Sequence, residues 1–183
     1  MSPVINEDLL LKQLRDPKTA HSAFAVLVKE YTEPLYWHLR RMVLDHDDAN
    51  DLLQNTFIKA WTNIDGFLGN SKISTWLYRI ATNEALTFLS RQNATDIVSI
   101  DDDESPAVNL EADEYFDGDE LQRRFQEALQ TLPPKQRTVF NMKYFDEMKY
   151  EDMSEVLGTS VGALKASYHL AVQKIAAFFQ DDI

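Results

Sequence analysis

Four histidines are the first residues to test for chemistry. His21, His38, His46 and His169 are scattered, with no HExxH and no His/carboxylate spacing of the kind that ligates a metal. The chain has no cysteine, so thiolate metal sites and disulfides are both excluded, and a reducing compartment suits it. GxxxxGK[ST] and GxGxxG phosphate loops and the GxSxG nucleophile elbow are absent. The densest carboxylate cluster, Asp101-Asp102-Asp103-Glu104, lies in a stretch without apolar periodicity, where the fixed geometry of a two-metal centre could not be held. No catalytic residue, cofactor or metal is expected.

Side chains suited to binding are more informative. The net charge of −12 speaks against a nucleic-acid partner until its distribution is read, because phosphate binding rests on lysine and arginine. Residues 1–91 carry 10 Lys+Arg and 11 Asp+Glu, residues 92–120 carry none and 11, and residues 121–183 carry 8 and 8. The acidity therefore belongs to one segment. The two flanking pieces are nearly neutral, which neither demands nor excludes DNA but predicts weak nonspecific binding by either alone.

The elements that would position such side chains are helices. Gln92 to Asp119 is acidic and aperiodic and reads as a flexible linker. On both sides apolar residues recur at three- and four-residue steps, with few Gly and Pro. The expected fold is all-α, with two small helical domains, 1–91 and 120–183, joined by the acidic linker 92–119. In the first, Phe24, Leu27, Val28, Tyr31, Leu35 and Leu39 form a stripe interrupted by Pro34, which either kinks the helix or begins a new one. Asp47 or Asp48 can cap the next helix, with Leu53, Phe57, Ala60, Trp61 and Ile64 on one face. After a loop bracketed by Gly66 and Gly69, Ser71 or Ser74 is placed to cap the helix TWLYRIATNEALTFLSR. In the second domain a helix from about Glu120 ends at Pro133-Pro134 and a helix through QRTVFNMKYF follows. A short amphipathic helix, a turn at Gly158, a Ser160 cap and a longer helix then make a helix-turn-helix pattern.

Two ordered stretches carry a family resemblance. DDANDLLQNTFIKAW (47–61) with FLGNSKISTWLYRIATNEALTFLSR (67–91) resembles region 2 of the extracytoplasmic-function sigma factors, and LPPKQRTVFNMKYFDEMKYEDMSEVLGTSVGALKASYHLAVQKI (132–175) resembles their region 4. The resemblance implies a cytoplasmic, non-enzymatic factor that binds core RNA polymerase at the beta-prime clamp helices and beta flap. It further implies promoter DNA as a partner, recognised at the minus-ten and minus-35 elements, and control by an anti-sigma factor.

Residue by residue, it makes Asp48, Asp51, Gln54 and Asn55, which lie off the core stripe, the polymerase-binding face. It makes the loop of Gly69, Asn70, Ser71, Lys72 and Ser74 the site where a minus-ten base turned out of the stack is held. That base must regain its unstacking cost by stacking and edge contacts. Arg79, Asn83 and Arg91 would complete this surface, with the cations on phosphates and Asn83 on a base edge. Trp76 and Tyr78, at helical spacing with Leu77 and Ile80, read as core. Leu68 stands where the family often has a basic residue.

In region 4, Leu164, Tyr168, Ala171, Val172, Ile175 and Phe179 are expected inward. Ser160, Gly162, Lys165, Ala166, Ser167 and His169 are then the minus-35 candidates. Where the family commonly has arginines, this chain has LKASYHLAV, so the usual bidentate arginine-to-guanine contact is missing. A linker of about 28 residues reaches about 90 Å when extended, enough for DNA sites two turns, about 70 Å, apart. The alternatives are a stand-alone helix-turn-helix regulator, requiring tight specific DNA binding without polymerase, and a small helical enzyme, requiring a pocket of clustered ionisable groups. The sequence has no run of about 20 apolar residues, so no membrane insertion is expected.

Overall fold

The computed structural model describes residues 6–98 and 120–180, with side-chain burial given for 6–94 and 120–180. Among them lie eight α-helices and one 3-10 turn, and no strand. The chain divides into two compact units, one holding Met1–Gln92 and the other most of Asn93–Ile183.

The first unit comprises α1 (Glu7–Arg15), α2 (Ala20–Val43), α3 (His46–Thr62), a 3-10 turn (Ile64–Gly66) and α4 (Ile73–Val98). Asn6 caps α1 by accepting from the Leu9 N–H at 3.1 Å, and Glu7 and Asp8 in the first turn with Arg15 in the last complement the helix dipole. α2 runs unbroken through Pro34: the ring faces solvent, and buried Leu27, Leu35 and Leu39 on the other side hold the helix together. α2 ends at Leu44, whose left-handed φ of 65° is secured by its N–H on the Arg40 carbonyl and by the Arg40 guanidinium on its own carbonyl.

Asp45, not Asp47 or Asp48, caps α3, accepting from the Asp48 N–H at 2.9 Å. The inner face of α3 is Ala49, Leu52, Leu53, Thr56 and Ala60, while Phe57 and Trp61 are half-buried at its edge against Phe24. α4 buries Ile73, Leu77, Ala81 and Ala85, and its Thr82 hydroxyl shares a hydrogen bond of 2.9 Å with Nε2 of the fully buried His38 on α2. α4 continues through 92–98, into the stretch read as linker, because those residues contain neither Gly nor Pro and the acidic run starts only at Asp101. The remainder of that linker, 99–119, lies outside the described residues.

The second unit comprises α5 (Glu120–Gln130), α6 (Pro134–Tyr144), α7 (Tyr150–Leu157) and α8 (Val161–Gln180). Pro134 opens α6, where a missing N–H costs nothing. Ala128, Leu129, Leu132, Phe140, Ala171 and Ile175 form the core, with Phe125, Phe145 and Tyr168 packed on it. α7 closes at Gly158, whose φ of 64° suits glycine, with its N–H on the Ser154 carbonyl at 2.9 Å. Ser160 then caps α8, its hydroxyl accepting from the Ala163 N–H at 3.3 Å. α7, a three-residue turn and α8 thus make a helix-turn-helix.

Candidate nucleic-acid interface

α3 offers the first surface. At 3.6 residues per turn, Asp48, Asp51, Gln54 and Asn55 share one side, opposite Ala49, Leu52 and Thr56. Asp51, Gln54 and Asn55 are exposed and Asp48 is partly covered. Burial, and then the carboxylates of Asp45, Asp51 and Asp47, push the Asp48 carboxyl above the usual range. Ile58, which sequence reasoning passed over, falls on the same side and is 62% exposed. Its omission from the apolar stripe of α3 was the available signal. Beside this face, His46 bridges Tyr36 (Nδ1 to the hydroxyl, 2.6 Å) and Asn50 (Nε2 to the amide nitrogen, 3.0 Å).

The loop between the 3-10 turn and α4 is the second surface. Gly69 has φ of 77°, and Gly69, Asn70 and Lys72 are exposed while Ser71 is half-buried. Leu68 protrudes, 73% exposed. Neither Ser71 nor Ser74 occupies the cap position of α4, because the helix begins at Ile73. The Ile73 N–H instead donates to the Glu7 carboxylate of α1 at 3.3 Å. Ser74 is half-buried in the first turn and hydrogen-bonds the Tyr31 side chain. Tyr31 is itself raised, first by burial and then by the charge of Glu7. Ser74 therefore ties the first turn of α4 to α2.

Trp76 is half-buried, its ring 4.9 Å from that of buried Phe67, and Tyr78 lies edge-on to His38 at 5.0 Å, so both serve packing. Arg79 and Asn83, four apart, are exposed on one side of α4. Arg91 is exposed too, but it lies about 27 Å along the axis from the start of the helix and turns away from that side.

On α8, Gly162, Ala166 and His169 are exposed along the outer face, with Leu164, Ala171 and Ile175 buried opposite. Ser160 is exposed at the cap, beside the free N–H groups of the helix start. Lys165 is exposed on one flank, its Nζ 5.6 Å from the ring centre of Tyr150, over which Lys143 also sits at 4.8 Å. Ser167 is half-buried on the other flank, as its spacing implies. Val172 departs from expectation: it is 40% exposed, where α8 packs on both α5 and α6. Val172 joins Phe125, Phe140, Tyr144 and Tyr168 around an open apolar cleft of about 300 Å³.

Among the described residues, two helical units, the second ending in a helix-turn-helix, define an all-α class of protein. The comparisons make this specific. Residues 27–95 match the family profile described as Sigma-70 region 2, and residues 122–175 match Sigma-70, region 4. The chain is 31% identical over 173 residues to the ECF RNA polymerase sigma factor SigW of Bacillus subtilis, covering 89% of this chain and 92% of that one. It is 30% identical over 169 residues to the RNA polymerase sigma-H factor of Pseudomonas aeruginosa, covering 84% of each. Among solved structures, the sigma factor RpoE in complex with the anti-sigma factor NepR from Bartonella quintana superposes with TM-score 0.69 at 25% identity, over 87% of this chain and 98% of that one. CnrH, solved with the cytosolic domain of CnrY, shares the fold with TM-score 0.72 at 22% identity, over 97% and 99%. The chain belongs to the extracytoplasmic-function family of RNA polymerase sigma factors.

Proposed function

We propose that the protein binds core RNA polymerase and directs promoter-specific initiation, acting as a non-enzymatic cytoplasmic factor. Asp48, Asp51, Gln54 and Asn55 on α3 meet the beta-prime clamp helices, and the second unit meets the beta flap. Gly69, Asn70, Ser71 and Lys72, with Arg79 and Asn83, take the minus-ten strand, and Arg91 contacts phosphate further along it. Ser74, half-buried in the first turn of α4, adds to that surface beside the loop. The outer face of α8 at Ser160, Gly162, Lys165, Ala166 and His169 enters the minus-35 major groove, with Ser167 reaching it only from the flank.

The observation that carries this reading is the ordered pair of region 2 and region 4 matches, each coinciding with one helical unit. An anti-sigma factor that covers these faces when initiation is off is consistent with the solved neighbour held by its own anti-sigma factor. The near-neutral charge of each piece also favours a factor that draws its affinity from polymerase over one that binds duplex DNA alone.

Transcription in vitro with core polymerase on genomic fragments, with start sites mapped, tests the proposal. Selective start sites that require this chain are expected, and Asp51→Lys should abolish them by reversing the charge on the proposed polymerase-binding face. No stable complex with core polymerase, and no selective initiation, would overturn it.

A further inference from the structure

A base-reading loop made of small polar residues needs something to hold it. Phe67 to Lys72 would sample many backbone states on its own, and a pocket that must tell one base from another gains most from being formed before the base arrives. Helix α1 touches this loop at its start, middle and end. The Arg15 guanidinium donates to the Phe67 carbonyl at 2.8 Å. A Leu11 methyl lies 3.5 Å from where a Cβ on Gly69 would stand. The Glu7 carboxylate accepts the Ile73 N–H at 3.3 Å, occupying a donor that the first turn of α4 leaves free.

Glu7, Leu11 and Arg15 are four residues apart and so share one side of α1. Packing does not require the two polar contacts, since α1 is anchored by buried Leu10 and Leu14. Arg15 is an exposed side chain that nonetheless spends a charge-assisted hydrogen bond on a loop carbonyl 52 residues away.

We propose that Arg15 and Glu7 are positioning residues for promoter reading: by fixing both ends of the 67–73 segment, α1 sets which minus-ten base the loop accepts, without itself touching DNA. This rests on the reading that the loop receives that base. Losing either contact leaves every loop side chain in place but releases the backbone that presents it. Discrimination should then fall while affinity for polymerase stays.

The test uses the full chain with core polymerase, on promoters recovered from genomic fragments and randomised separately at their minus-ten and minus-35 positions. For Arg15→Ala and Glu7→Ala, a base preference of about tenfold at one minus-ten position should fall below about threefold. The minus-35 preference and the Kd for core polymerase should stay within about twofold of the parent, against the several-fold losses that a direct contact would cause. Arg15→Lys, which keeps a donor, and Glu7→Gln, which keeps an acceptor, should restore the preference. Amide hydrogen exchange at residues 68–73 of the free protein should quicken in the alanine variants only.

An unchanged base preference in both alanine variants, with Asn70→Ala altering it, would overturn the positioning role while sparing the loop's. An unchanged preference in Asn70→Ala as well would remove base reading from the loop, and the proposal with it. Quickened exchange spread evenly over the first unit would reduce α1 to a general stabiliser and also overturn it.

Discussion

Partial burial of the Asp48 carboxyl, and then the neighbouring charges of Asp45, Asp51 and Asp47, make its ionised form costly to the folded state. Its folded carboxyl holds a proton to higher pH than the unfolded one. Whatever stability this gives is complete below the ordinary carboxylate range and disappears as pH rises through the raised value. Asp48→Asn should therefore melt at a higher temperature than the parent at neutral pH, with the two converging in acid, while binding core polymerase less well. Melts from pH 3 to 8 beside a binding titration would check both halves. Replacing buried His38 should instead destabilise the fold. His38→Ala leaves a cavity and takes a partner from the Thr82 hydroxyl, at about 2–4 kcal/mol, measurable by urea unfolding. Lys165 is an exposed residue whose Nζ lies 5.6 Å from the Tyr150 ring centre, and a side chain of that length can reach a phosphate. Lys165→Ala should lower the salt slope of promoter binding by about one.

At the scale of helices, caps and turns decide where each surface begins. Asp45→Ala should cost about 1 kcal/mol by freeing the Asp48 N–H, and it tests whether Asp45 alone starts α3. Gly158→Ala should cost about 1 kcal/mol or more, because φ of 64° brings a Cβ too close to the backbone. It should also disturb promoter contacts by α8 more than polymerase contacts by α3. The same scale explains what could be read in advance. Helix positions, the Gly158 turn and the Ser160 cap are local, and apolar spacing together with residue chemistry sufficed for them. The start of α3 misled because four aspartates within seven residues are all chemically able to cap, and only backbone geometry selects Asp45. The start of α4 was beyond local reasoning, since its partner Glu7 lies 66 residues earlier. Val172 was misplaced because apolar spacing alone does not fix how wide the buried stripe of α8 is, and two helices share it.

For the whole molecule, the continuation of α4 to Val98 leaves fewer residues between the two helical units than the sequence reading allowed. From Val98 to Glu120 the chain spans at most about 75 Å when extended, close to the roughly 70 Å of two DNA turns. Deleting about seven residues between 99 and 119 would lower that limit to about 50 Å. Initiation that needs both elements should then fail, while each unit keeps its own unfolding transition. Transcription from templates with and without a minus-35 element would separate the two effects. Helix α1 has a different bearing on the molecule's history. If the residues that shape a reading head sit behind it, mutational drift there can retune a regulon while every base-facing side chain stays the same, and swapping amino-terminal helices between relatives becomes a way to move specificity from one factor to another.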